Sequence, residues 1–277
     1  EWELGKIYAK AGDTRAMSQY KAAVDNLNEL RKNLIAINPD LQFGFQAQVE
    51  PLYKEYLELL FKEKQPDLEE IIKTNEKVQV TELENYLQCS QLKVFSLLNL
   101  SPKESPDAAI YIIRLPKQYE LIVRLKNGEL IHRTANFTAV EEALEKIRQN
   151  LSSEQLDNLD SGGFKELFGR LYQSLFSPIE GVLPKNGTIV FSGDSELMSV
   201  PWSILYDGNQ YLIERYSIAY TLGIDTQAPK EIARGRFRVL AAGLSDLSGK
   251  SNFKDLEFVP DELEGIKDTV PDSDSLL

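Results

Sequence analysis

One cysteine, Cys89, and one histidine, His132, are the whole thiol and imidazole content of the sequence. A lone cysteine excludes an internal disulfide and fits a reducing compartment, with the cytoplasm as the expected location. One His and one Cys cannot furnish the four such ligands of an ordinary structural zinc site, so no metal is implied. No apolar run approaches the roughly 20 residues that cross a bilayer, and no charged segment followed by an apolar one opens the chain. A phosphate loop of the Gly-x4-Gly-Lys-Ser/Thr kind is also missing: Gly162-Gly163 has neither a following lysine nor a preceding apolar strand, so no nucleotide cofactor is expected.

The chain is also short of positive charge. Its formal net charge of −12 argues against a nucleic-acid surface, which needs clustered Lys and Arg to displace counterions. The acidic excess is concentrated after Lys254, at Asp255, Glu257, Asp261, Glu262, Glu264, Asp268, Asp272 and Asp274. That stretch reads as a solvated helix face in an incomplete domain, with a basic partner as the other reading. What the chain does have is 277 residues with 42% hydrophobic content, enough for roughly two domains with real cores.

Residues 2 to about 37 read as two helices joined at Gly12-Asp13, where Asp13 or Thr14 can cap the second. Tyr20, Ala23, Val24, Leu27, Leu30 and Leu34 recur at helical spacing. A further helix follows Asn38-Pro39-Asp40, with Val49, Leu52, Tyr53, Tyr56, Leu59 and Leu60 on one side and a kink or a start expected near Pro51. Another runs from Pro66 to about Leu87 through Leu68, Ile71, Ile72, Val78, Leu83 and Tyr86. Residues 1–100 are therefore expected as helical hairpins. The proline- and serine-bearing stretch 101–107 reads as a linker.

Strands are predicted at 108–115, 119–125 and 129–135, with Asn127-Gly128 as a hairpin turn because both residues tolerate positive φ. Helices follow at about 138–151 and 164–177, more strands lie in 187–223, and residues 236–244 begin a new buried strand followed by a helix near 260–270. The fold class is α+β leading into an α/β unit.

Three constellations carry candidate chemistry. Gly193-Asp194-Ser195 follows the apolar run Ile189-Val190-Phe191, where a nucleophile could sit, yet a serine esterase using Ser195 needs a downstream histidine as base and the only one, His132, lies upstream. The bland reading is a turn capped by Asp194. Cys89 and His132 are the only Cys–His dyad the chain could form; Cys89 beside an apolar helical run reads as an inert small hydrophobe, and His132 as a pleat residue of a strand. Trp202, following Pro201, is placed to hold one sheet edge against its neighbour.

The segment WELGKIYAKAGDTRAMSQYKAAV resembles a tetratricopeptide repeat. Residues 183–223, LPKNGTIVFSGDSELMSVPWSILYDGNQYLIERYSIAYTLG, resemble the CHAT domain, the caspase-like, separase-related peptidase domain associated with such repeats. The features that carry this likeness are Gly187 before an apolar strand, Val200-Pro201-Trp202 leading to Leu205, Asp207-Gly208, and Tyr211-Leu212-Ile213-Glu214 followed by Tyr216 to Tyr220. The likeness extends over 106–277, with 108–135 similar to the family's opening meander and 236–277 to the first strand and helix of its peptidase core.

The resemblance implies a non-catalytic caspase-like half at 108–225 and the start of a catalytic half at 236–277. In the family the catalytic His stands next to Gly at the end of a later strand and the Cys at the end of the strand after that. No residue here matches either position, so no catalytic residue carries over. The expected role is binding and scaffolding without cleavage: helical repeats receive a protein partner, and the 236–244 strand pairs with the catalytic half or with a second copy. A stand-alone pseudo-enzyme that only binds is the other reading. Both termini look cut, and without a partner strand poor order is expected after about residue 245.

Overall fold

The computed structural model describes residues 1–37, 50–86, 92–150, 161–193, 197, 200–221, 223, 239–245, 258–269 and 273–276. They fall into two compact units, Glu1–Asp225 and Thr226–Leu277.

The first unit opens with α1 (Trp2–Lys10) and α2 (Arg15–Ile37). Gly12 turns the chain at φ +67°, and Asp13 Oδ1 accepts the Arg15 backbone N–H at 2.9 Å. The Arg15 guanidinium, bonded to the same carboxylate, holds the Asp13 pKa down at about 2. Gly5 lets the two helices close: a Cβ there would stand 2.8 Å from the Tyr20 ring. Helix α3 (Glu50–Lys62) carries Pro51 in its first described turn, a position where proline is tolerated. Its Glu55 Oε2 accepts both Trp2 Nε1 (2.8 Å) and Tyr20 Oη (2.6 Å), tying three helices through one carboxylate. Helix α4 (Leu68–Tyr86) is capped by Asp67 Oδ1, which accepts the Glu70 N–H at 3.0 Å.

Five strands follow: β1 (Ala108–Arg114), β2 (Gln118–Leu125), β3 (Leu130–Asn136), β4 (Gly187–Ser192) and β5 (Tyr216–Tyr220). They form one mixed sheet in the order β3-β2-β1-β4-β5, the first three antiparallel and β1, β4 and β5 parallel. Gly128 closes the β2–β3 hairpin at φ +90°. Between β3 and β4 run α5 (Phe137–Asn150), α6 (Ser161–Leu171), a π-helical turn (Tyr172–Phe176) and α7 (Ser177–Glu180).

Side chains alternate across the strands, and both faces are covered. Ala108, Ile110 and Ile112 of β1 join Val140, Leu144, Phe168, Leu171 and Phe176 in one core; Ala109, Tyr111 and Ile113 join Tyr53, Tyr56, Ile71 and Ile72 in the other. This explains the near-continuous apolar runs of β1 and β2, which a sheet with one wet face would not show. The 101–107 stretch is fastened to β2: Arg124 donates to Ser105 Oγ at 3.0 Å and to the Leu100 carbonyl at 3.2 Å. Asp107 staples the parallel pair, its Oδ2 accepting the Thr188 N–H at 2.8 Å and its Oδ1 facing Lys126 Nζ at 3.0 Å.

In the second unit, β6 (Val239–Ala242) pairs parallel with β7 (Ser273–Leu276) across α8 (Val259–Thr269), the strand and helix expected at 236–244 and 260–270. Gly243 admits α8 closely, since a Cβ there would stand 2.3 Å from Val259 Cγ1. Leu240 and Leu244 are 64% and 63% exposed. No described helix is long and apolar enough to cross a membrane.

Candidate functional site

Helix α4 has an uncommon composition for a core element. Its apolar stripe runs Leu68, Ile71, Ile72 and then jumps to Val78, while the position a turn after Ile71 and Ile72 is held by Asn75 and Glu76. Thr74, Asn75, Glu76, Gln79, Thr81 and Glu84 are all buried. Asn75, Glu76 and Gln79, three or four residues apart, share a side of the helix. Ser192, the last residue of β4, donates to Gln79 Oε1 at 3.2 Å, and Ser96 donates to Glu76 Oε1 at 2.9 Å. Tyr111 of β1, paired in register with Ser192, is fully buried, and its hydroxyl finds no partner; nor do Asn75 Nδ2 and Gln79 Nε2.

Burial pushes the Glu76 carboxyl up to about 7, against the smaller pull of the Ser96 bond and the Lys73 charge. The Tyr111 phenol is pushed up as well, by burial first and by the Glu76 charge second. The chemical character of this layer is thus acceptor-poor and donor-rich, with one carboxyl that holds its proton far above the usual carboxylate range.

The histidine lies on the same face of the sheet. Glu120 of β2, 1% exposed, has His132 Nε2 at 2.7 Å from its Oε2, accepts Thr134 Oγ1 at 3.1 Å, and is bonded by Gln118 Nε2. The His132 ring lies against Phe61 of α3 with centroids 5.1 Å apart. A cavity of about 160 Å³ opens beside it, lined by Glu58, Phe61, Lys62 and Leu115–Gln118. His132 therefore orients a buried Glu120 side chain between helix and sheet.

On the opposite face, Trp202 is 1% exposed and stacks on Phe191 of β4 at 4.6 Å and 13°. Its indole N–H donates to the Leu197 carbonyl and its backbone N–H to Tyr220 Oη of β5, each at 3.2 Å. One residue thereby joins β4, through its ring, to the edge strand β5, through its backbone. Next to it, Arg215 donates to Glu180 Oε1 at 3.1 Å and to Tyr172 Oη at 3.3 Å, which anchors the π turn. A groove of about 640 Å³ runs between α5, α6 and the Tyr206–Gly208 turn. Its lining carries both signs, Glu142, Lys146, Glu166, Arg170 and Asp207, and Arg170 pairs with Glu166. Such a balance selects no ligand of a single charge.

Of the residues singled out from the sequence, Gly193 closes on Leu197, a Cβ there standing 3.2 Å from Leu197 Cβ. Asp194, Ser195 and Cys89 lie outside the described residues. The polar layer on α4 was not singled out, although the break in its stripe between Ile72 and Val78 was a visible signal.

A family model described as the CHAT domain matches residues 165–276, from α6 through β7. The match spans the parallel half of the first unit and all the described elements of the second. In this region the chain is similar to the CHAT domain. No curated protein matches the chain.

Proposed function

We propose that this chain is the protein-binding and scaffolding portion of a CHAT-type cysteine peptidase of the cytoplasm, and that it does not itself cleave. The observation that carries the reading is the family match over α6–β7 in a chain whose single histidine is tied to Glu120. A Cys–His mechanism needs an imidazole free to take the thiol proton, together with backbone donors for the oxyanion. His132 Nε2 is engaged by a buried carboxylate and its ring is packed on Phe61.

In this reading α1–α4 are a tetratricopeptide-like region that receives a protein partner, residues 108–225 are the non-catalytic half, and β6–α8–β7 begins the catalytic one. The exposed Leu240 and Leu244 favour a strand partner at 236–244, either the remaining catalytic half or a second copy. The stand-alone pseudo-enzyme uses the same surfaces and differs only in lacking that half.

A panel of peptide substrates incubated with this chain should show no hydrolysis above blank. Cleavage that disappears in Cys89→Ala would overturn the reading, and labelling by a fluorophosphonate lost in Ser195→Ala would replace it with a serine esterase.

A further inference from the structure

Among the described residues the helical layer and the sheet bury three carboxyl groups between them, Glu76, Glu84 and Glu120, of which Glu84 accepts the Leu92 N–H at 3.0 Å. Glu120 has an imidazole beside it. Glu76 has only a hydroxyl, that of Ser96. Lys73, one turn earlier on α4, pairs with Glu69 at 3.3 Å on the exposed side and reaches Glu76 only through space. From β1 the facing group is Tyr111, from β4 Ser192, and from β2 Arg124, whose guanidinium is engaged by Ser105 and the Leu100 carbonyl. Among the described residues no cation closes on this carboxyl, so the layer tolerates it neutral and is strained by it ionised.

The Ser96 bond also has mechanical reach. Ser96 Oγ accepts the Leu98 N–H at 3.3 Å and so caps the short 3-10 turn Leu97–Asn99. One residue earlier, the Phe95 N–H donates to the Gly223 carbonyl at 2.8 Å, past the end of β5. Residues 92–99 are a strap along α4, tied to Glu84 at Leu92 and to the Gly223 carbonyl, itself close to Gln79, at Phe95, and Glu76 holds its middle.

We propose that Glu76 is a proton-operated latch: with its carboxyl protonated, α4 and the 92–99 strap stay closed over β1 and β4, and loss of the proton releases them and opens Tyr111, Gln79 and Ser192 to water. Burial sets the carboxyl at about 7, so the release falls in the neutral range.

Amide hydrogen exchange of the whole chain, read by mass spectrometry at about pH 6 and about pH 8.5 and corrected for the intrinsic rate, tests this. Protection of 71–84 and 92–99 should fall about tenfold across that interval, as follows from a carboxyl that titrates near 7 when closed and near 4.5 when open. Segments 119–125 and 140–147 should hold steady. Glu76→Gln should abolish the fall and His132→Gln should leave it in place. A fall of equal size in Glu76→Gln, its loss in His132→Gln, or flat protection in the unaltered chain would overturn the proposal. Should Glu76→Gln not fold, Ser96→Ala removes the bond that lowers the Glu76 pKa and, read on 71–84 alone because 92–99 loses its own tie, should move the transition to higher pH; an unmoved transition in 71–84 would overturn the proposal.

Discussion

The two faces of the five-stranded sheet are built to different rules. On one, α5, α6 and the π turn meet β1, β2 and β4 through Leu, Ile, Val and aromatic side chains, with Trp202 clamped on Phe191. On the other, α4 brings Asn75, Glu76 and Gln79 against Tyr111 and Ser192, and Glu120 and His132 stand nearby. Apolar contact is non-directional and resists almost any change of solvent short of denaturation. A polar layer depends on each partner being present and correctly charged. The first face serves as a permanent joint and the second as a conditional one.

Four substitutions sharpen that contrast. The largest effect belongs to the dry face: Trp202→Ala should cost about 3–5 kcal/mol in denaturant unfolding, because it empties a stacked, fully buried site and removes the indole bond to the Leu197 carbonyl. A cost under about 1 kcal/mol would mean that β5 is held by other means.

Next comes Glu76→Gln, whose effect should depend on pH. The folded carboxyl keeps its proton up to about 7, against 4.5 in a free chain, so the stability it contributes is complete below 4.5 and lost as the pH rises through 7. Above that range Glu76→Gln should be more stable than the parent by on the order of 2–3 kcal/mol, and below 4.5 the two should coincide. A stability difference independent of pH would remove the contrast between the faces.

The smallest effect comes from a matched pair of tyrosines. Tyr111 has an orphan hydroxyl on the polar face, so Tyr111→Phe should be neutral or stabilising by up to about 1 kcal/mol. Tyr119, on the dry face, donates to Glu141, and Tyr119→Phe should cost about 1 kcal/mol. Equal costs measured by thermal unfolding would show that the Tyr111 hydroxyl has a partner after all.

How much of this was legible in the sequence follows from the kind of signal each element gives. The meander could be read because its strands are β-branched runs punctuated by Asn127-Gly128, and the place of Pro51 in the first described turn of α3 because a helix tolerates proline's missing N–H there. The mixed order β3-β2-β1-β4-β5 could not, since β1 and β4 find each other across β2, β3 and the helices α5 to α7, and no local pattern records that pairing. The polar layer was half legible. Asn75 and Glu76 interrupt a stripe, but whether such residues meet water or a second layer depends on what covers the helix, and covering is a tertiary property. Likewise, a strand histidine could be read as a pleat residue, whereas its buried carboxylate two strand positions from Gln118 emerged only from the β2–β3 register, which sets Ile122 opposite His132.

The Asp107 staple bears on time as much as on geometry. It joins residues 81 positions apart, whereas the β2–β3 turn closes within a few. Closing the longer loop costs about 2–3 kcal/mol more in chain entropy, and no contact of the parallel pair repays it until the ends have met. The antiparallel meander needs only its own turns. Synthesis from the N-terminus also delivers β1, β2 and β3 well before β4, so the helices and the meander have the opportunity to meet while the parallel edge of the sheet is still unmade. The conditional face is then assembled first, and the permanent joint seals it.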